Sequence, residues 1–219
     1  NYAQLGNKTI ILFASGAGLT EYTIPDGVEA IESYAFYYAT SLKKLNFPDS
    51  FKEIYSGHAF EGATNIETIT GKYVLDDNRS MVINDMLVMY AGAGLEKYTT
   101  PKGVKSIGYQ ALGFNNDIKE YVISDDVTQA GDYGYLFNQC PNLEIVTLSA
   151  KMQYLGYDPF GAEWWSTPKI KTVYCRAIMP PIVYYNTSDG RFDYDDLTIF
   201  VPEQSVVSYR SSNYWTPYR

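Results

Sequence analysis

Leu19-Thr20-Glu21-Tyr22-Thr23-Ile24-Pro25 and Leu95-Glu96-Lys97-Tyr98-Thr99-Thr100-Pro101 are two copies of one phrase. The agreement runs on through Gly27/Gly103, Val28/Val104, Ile31/Ile107 and Ala35/Ala111, at a constant offset of 76 residues (25 to 101). A repeated unit buries its apolar face only by stacking on its neighbours, so repetition of this kind predicts a solenoid. The offset contains shorter units that start at Leu19, Leu42, Ile66, Leu95, Ile118, Leu143 and Ile170. Positions one, four and six of each unit are mostly apolar and the residues between them mostly polar. Position four, for example, reads Tyr22, Leu45, Ile69, Tyr98, Tyr121, Val146 and Val173. Such alternation, rich in Thr, Val, Ile and Tyr, predicts one short strand per unit with one buried face.

Behind each strand comes a second half-unit. It carries an apolar pair three residues apart (Val28/Ile31, Phe51/Ile54, Val104/Ile107) and then an aromatic or leucine, as in Ala35-Phe36, Ala59-Phe60 and Ala111-Leu112. Pro or Gly separates the halves, as turn chemistry requires. The strand segments 21–23, 44–46, 97–99, 120–122, 145–147 and 172–174 are expected to pair in parallel, roughly 4.8 Å apart.

Ile24-Pro25-Asp26-Gly27-Val28 followed by Ile31 and Ala35-Phe36 resembles the leucine-rich repeats of BspA-like, treponemal-type bacterial surface proteins. Leu197-Thr198-Ile199-Phe200-Val201-Pro202, Ser208-Tyr209-Arg210 and Tyr214-Trp215 resemble the terminal cap of that family. The resemblance implies a β-rich α/β-horseshoe leucine-rich-repeat solenoid, secreted or on the cell surface, that works by binding. Adhesion to a protein of a host or neighbouring cell is the first expectation, a surface glycan-binding module the second, and an architectural spacer the third. As one domain, the chain divides into a partial hairpin (1–18), repeats (19–70), an inserted hairpin (71–94), repeats (95–181) and a cap (182–219). The inserted hairpin is read as Lys72–Leu75 with Met86–Tyr90, and Thr9–Ala14 as the second half of a truncated copy. That reading sets residue 1 inside an element. In the cap, Val206, Val207, Tyr209 and Trp215 have spacing suited to a short amphipathic helix over the open end.

Composition excludes several functions. A net charge of −8 argues against nucleic acid, whose binding needs clustered Lys and Arg. No apolar run reaches the roughly 18–20 residues of a membrane span. His58 is the single histidine and is read as an ordinary surface residue, because no nucleophile or further metal ligand belongs with it. Cys140 and Cys175 sit in different columns two repeats apart. Stacking separates them by roughly 10 Å, beyond the ~7 Å limit for a disulfide, so both are read as free, buried fillers. Gly16-Ala17-Gly18 and Gly92-Ala93-Gly94 precede strands, not helices, and are turns, not phosphate loops. The acidic run Asp189–Asp196 is read as a solvated loop and not as a calcium site. No cofactor is expected and an enzyme is the last choice.

Binding has two candidate surfaces. Positions two and three of the strands mix charge sign along the stack (Lys43, Glu67, Glu96, Lys119, Glu144, Lys171), which favours cross-strand pairing over steering of a charged ligand. Tyrosine, by contrast, accounts for 22 residues, and Tyr34, Tyr37, Tyr38, Tyr133 and Tyr135 fall on the back loops. Trp164 and Trp165 lie in an insertion that breaks the regular spacing between back aromatic and next strand. Large, stiff aromatic surface suits recognition, so Tyr37, Tyr38, Tyr133, Tyr135, Trp164 and Trp165 are the candidate binding set.

Overall fold

The computed structural model describes residues 3–131, 136–156, 159–160, 169–184 and 197–215. Two kinds of strand alternate along the chain. Front strands are β3 (Glu21–Thr23), β5 (Lys44–Asn46), β7 (Thr68–Thr70), β10 (Lys97–Thr99), β12 (Glu120–Val122), β14 (Ile145–Leu148), β16 (Thr172–Cys175) and β18 (Thr198–Phe200). Back strands are β2 (Thr9–Phe13), β4 (Ala30–Ile31), β6 (Glu53–Ile54), β9 (Met86–Tyr90), β11 (Ser106–Ile107), β13 (Gln129–Ala130), β15 (Tyr154–Leu155) and β17 (Ile182–Val183). The back half-unit is therefore itself β, and the single α-helix among the described residues is α1 (Val206–Ser211) near the carboxyl end.

Burial follows the repeat columns. In the front strands Tyr22 pairs with Leu45 and Leu45 with Ile69, all turned inward. Tyr98, Tyr121, Val146 and Val173 align in the same way. Each such side chain contributes roughly 1.5–3 kcal/mol on burial, and the parallel ladder supplies the backbone partners. Cys140 and Cys175 are buried and free, as their columns predict.

The front ladder is not continuous. β3-β5-β7 form one sheet and β10-β12-β14-β16-β18 another. Two further strands, β1 (Ala3–Gly6) and β8 (Ser80–Ile83), are the first strands of two hairpins. With them the back strands divide likewise, into β1-β2-β4-β6 and β8-β9-β11-β13-β15-β17. Two apolar cores correspond, one made of Ile10 to Ile69 with Met81, Met89 and Ala91 and the other running from Leu87 to Trp215. The stack is thus two blocks in series, each opened by a hairpin.

Both hairpins differ from the sequence reading. The amino-terminal one is complete, with β1 antiparallel to β2. The internal one pairs β8 with β9, and Lys72–Leu75 adds only an isolated bridge from Val74 to Met81. The reason lies at the turns. Asn7-Lys8 and Asn84-Asp85 all hold positive φ, the two-residue geometry whose twist suits a hairpin and which Asn and Asp tolerate. The Asp76–Ser80 stretch is a turn too, held by the Asp77 carboxylate accepting from the Arg79 and Ser80 amides.

At the carboxyl end β18 closes the front ladder and α1 lies beyond it. Tyr209 donates to the Ala177 carbonyl (2.9 Å) and the Trp215 indole to that of Pro181 (3.0 Å). Val207, expected on the inner side of this helix, instead faces solvent. Tyr209, Tyr214 and Trp215 cover the final core layer, as a solenoid end requires.

Candidate functional site

The strand lane is occupied by its own charges. Lys43 bonds Glu67 (2.9 Å), Lys44 Glu21 (3.0 Å), Lys97 Glu120 (2.8 Å), Lys119 Glu96 (2.6 Å) and Lys171 Glu144 (2.8 Å). Hydrogen bonds from Asn46, then from Lys44, hold the Glu21 carboxyl below its ordinary range. Exposed pairs of this kind add little stability one by one, yet together they leave the lane without a single-sign field.

The back loops of the first block are different. Tyr34, Tyr37 and Tyr38 are all exposed, with Tyr37 at 5.8 Å from Tyr34 and 4.6 Å from Tyr38 between ring centroids. The main chain fixes them. Ser15 Oγ donates to the Tyr37 carbonyl (2.6 Å), and the Tyr38 ring lies so close over Gly62 that a Cβ there would meet it at 2.8 Å. Tyr38 has φ 49°, and its column mates two residues past the back aromatic, Gly62, Phe114 and Gln139, share the left-handed region at 74°, 60° and 53°. A non-glycine residue there is strained, but recurrence in these four units marks the strain as a property of the repeat, not of a functional site.

Leu12, Tyr34, Tyr37 and Glu61 line an open cleft beside this cluster. Partial desolvation, then Tyr38, Glu61 and Tyr34 nearby, raise the Tyr37 phenol pKa. The cluster presents aromatic rings and phenolic hydroxyls, which is surface chemistry for recognition.

His58 is not the free surface residue expected from its column. Its ring stacks on Tyr34 (5.1 Å), Nδ1 lies 3.0 Å from Glu61 and Nε2 lies 2.8 Å from the Tyr109 hydroxyl. In the neutral tautomer that fits, Nδ1–H donates to the carboxylate and Nε2 accepts from the phenol. His58 thereby bolts the last loop of the first block to the first loop of the second. Neither cysteine offers a usable thiolate. Burial pushes the Cys140 thiol up to about 12 and raises Cys175 as well. Among the described residues no three His, Cys, Asp or Glu side chains gather as a metal site, and no helix is long and apolar enough to cross a membrane.

Of the six sequence candidates, Tyr37 and Tyr38 form one cluster. Tyr133, Tyr135, Trp164 and Trp165 lie outside the described residues, as does Asp189–Asp196. Tyr34 was read on the same back loops but left out of the candidate set, and Leu12 was missed as a partner. Tyr34 had a signal, since its column holds bulky residues in the sequence; the packing of Leu12 beside it had none.

A model of the BspA-type leucine-rich-repeat region matches six copies over residues 11–82 and 88–175. No curated protein matches by sequence. Among solved structures, the chain is similar to a leucine-rich cell surface protein of Faecalibacterium prausnitzii, with TM-score 0.52 and 17% identity over 78% of this chain and 61% of that one. It is also similar to the pneumococcal vaccine antigen PcpA, with TM-score 0.46 and 18% identity over 93% of this chain and 42% of that one. For the leucine-rich-repeat protein of T. pallidum the values are 0.45 and 19%, over 73% and 86%. The chain thus spans about three-fifths of the F. prausnitzii protein and under half of the pneumococcal one. With six repeat copies matched across most of its length, the chain belongs to the BspA-type leucine-rich-repeat family.

Proposed function

We propose that this chain is a non-enzymatic binding module of a cell-surface or secreted protein, and that it binds a protein partner through aromatic loop residues. The observation that carries the reading is the contrast between its two surfaces. Leu12, Tyr34, Tyr37 and Tyr38 are adjacent and exposed, whereas the strand lane pairs its charges internally. Tyrosine clusters offer contact area with few rotamers to freeze. The insertion bearing Trp164 and Trp165, with Tyr133 and Tyr135, belongs to the same proposal on sequence grounds.

Binding of the chain to immobilised extracellular-matrix proteins and to a glycan array tests it. If the aromatic cluster is the contact, Tyr37→Ser with Tyr38→Ser weakens a measured interaction about 30-fold, equivalent to roughly 2 kcal/mol, while Lys97→Ala with Glu120→Ala leaves it intact. Trp164→Ala with Trp165→Ala is the parallel test of the insertion. Loss of binding in the lane variant alone overturns the proposal, and binding confined to the glycan array moves the partner class to carbohydrate.

A further inference from the structure

Glu61 is a sheltered carboxylate without a lysine or arginine partner. Every other glutamate in an ion pair among the described residues is matched by a lysine: Glu21, Glu29, Glu67, Glu96, Glu120 and Glu144. Those side chains are from 28% to 70% exposed. The Glu61 side chain is only 16% exposed, and its one partner is the His58 ring, with Nδ1 at 3.0 Å from Oε2. In the tautomer that the Tyr109 hydroxyl favours, that ring is neutral. Oε1 takes no hydrogen bond among the described residues. A carboxylate this far out of water is ordinarily matched by an opposite charge.

The surroundings of that carboxylate suit a cation of one kind. Glu61 lines an open cleft of about 450 Å³ whose other walls are Leu12, Tyr34 and Tyr37. The two rings are inclined at 77° with centroids 5.8 Å apart, and the faces of such rings attract positive charge. After desolvation, Tyr38 and Glu61 are what raise the Tyr37 phenol pKa, and no lysine or arginine acts in the opposite direction. The rings are also held before any partner arrives. Tyr34 stacks on His58 at 5.1 Å, and the Tyr37 carbonyl accepts from Ser15 Oγ at 2.6 Å, so little ordering remains to be done on binding. A neutral sugar could stack on the same rings, yet it would leave the Glu61 charge unmatched.

From this we infer that the cleft between Tyr34, Tyr37 and Glu61 receives an arginine side chain of the protein partner. The inference rests on the proposed function and narrows its contact to one residue type. A guanidinium is planar and weakly hydrated, so it stacks on an aromatic face while an N–H at its edge reaches a carboxylate oxygen. Its aliphatic stem needs apolar surface, which Leu12 supplies at the rim, 53% exposed. The ammonium of lysine is a compact, strongly hydrated charge and gains less from two ring walls. Tyr38, with its ring centroid 4.6 Å from that of Tyr37, extends the contact beyond the cleft to the residues that flank the arginine.

Titration of the full chain with blocked tripeptides tests it, read by NMR shifts of the Tyr34 and Tyr37 rings and the Leu12 methyls. The probes are Gly-Arg-Gly, Gly-citrulline-Gly, in which a neutral urea of the same shape replaces the guanidinium, and Gly-Lys-Gly. The arginine peptide should shift these signals saturably, and the citrulline peptide should bind about tenfold more weakly. Because this comparison changes only the probe, the native fold is untouched. Glu61→Gln keeps an acceptor for His58 and removes the charge; it and Tyr37→Leu should each weaken the arginine peptide about fivefold. Citrulline binding as tightly as arginine overturns the inference, as does the absence of saturable shifts at these residues. So do arginine and lysine peptides that bind alike and ignore Tyr37→Leu, which is attraction by the net charge of −8 alone. If the cleft ignores arginine while Tyr37→Ser with Tyr38→Ser still loses a matrix protein, the inference fails and the proposed function stands. If the cleft takes arginine but that double variant keeps its matrix protein, the proposed function falls, and with it the assignment of the cleft to the partner.

Discussion

Gly57→Ala should loosen the seam between the two blocks. An ideal Cβ at Gly57 lies 2.0 Å from the Tyr109 carbonyl oxygen, 2.8 Å from Gln110 Cβ and 2.9 Å from the Tyr109 carbonyl carbon. Ordinary contact begins near 3.4 Å, and two of the three atoms are backbone, so no rotamer change relieves the overlap. The loops must part by more than 1 Å, roughly the range in which overpacking costs about 2–3 kcal/mol. That movement also strains the His58–Tyr109 hydrogen bond, 2.8 Å in the native seam, for about 1 kcal/mol more. A loss of about 3–4 kcal/mol lowers the melting temperature of a chain this size by about 10 °C. Because stability in stacked repeats is a sum of unit and interface terms, the transition should also broaden or split as the blocks uncouple. Differential scanning calorimetry measures both effects. Gly16→Ala is the matched control, since a Cβ there would meet nothing within 4 Å. A Gly57→Ala melting curve that overlays the control would refute this account of the seam.

Other outcomes follow from single features. Cys140 and Cys175 should resist alkylation in the native protein and both react after denaturation without reductant, read by intact mass; a bridged species would contradict their placement. Hydrogen bonds from Lys52 and then Lys8 hold Glu29 at about 2, against an ordinary 4.5. Because the folded value is depressed, this pairing favours the native state above about pH 4.5 and is lost as pH falls through about 2. Carboxyl NMR should show the low midpoint, and Lys8→Ala with Lys52→Ala should return it toward 4.5. Truncation after Met179 removes β17, β18 and α1 and uncovers the last core layer, so the product should aggregate where the full chain stays monomeric by size-exclusion chromatography; a monomeric product with unchanged melting would reduce that segment to a tail.

The inward columns were legible in the sequence because burial imposes them directly. Leu45, Ile69, Tyr121, Val146 and Val173 have no choice of face once the strands stack. The back ladder was not legible, since strands of two residues such as Ala30–Ile31 are too short to show an alternation. The hairpins were misplaced because Asn7-Lys8 and Asn84-Asp85 make their turns without glycine. The break of the front ladder between β7 and β10 is set by how β8 and β9 wedge between two cores, which no local pattern records. At the candidate site, Tyr37 and Tyr38 stood out as bulky residues on a repeat edge. The role of His58 depended on Tyr109, 51 residues away, and only the assembled stack brings them together.

The internal hairpin also sets an order of events during synthesis. Every parallel ladder contact among the described residues joins residues about one repeat apart, so each such step closes a loop of similar length and similar entropic cost. The chain can add turns as they leave the ribosome. Yet the first core includes Met81, Met89 and Ala91, which belong to the element that opens the second block. A nascent chain stalled with residues 1–79 exposed has three front strands and an unfinished floor; about a dozen residues later the floor is in place. Protease resistance of nascent chains should therefore rise in one step as the internal hairpin emerges, which makes that hairpin the closing piece of one block and the template for the next.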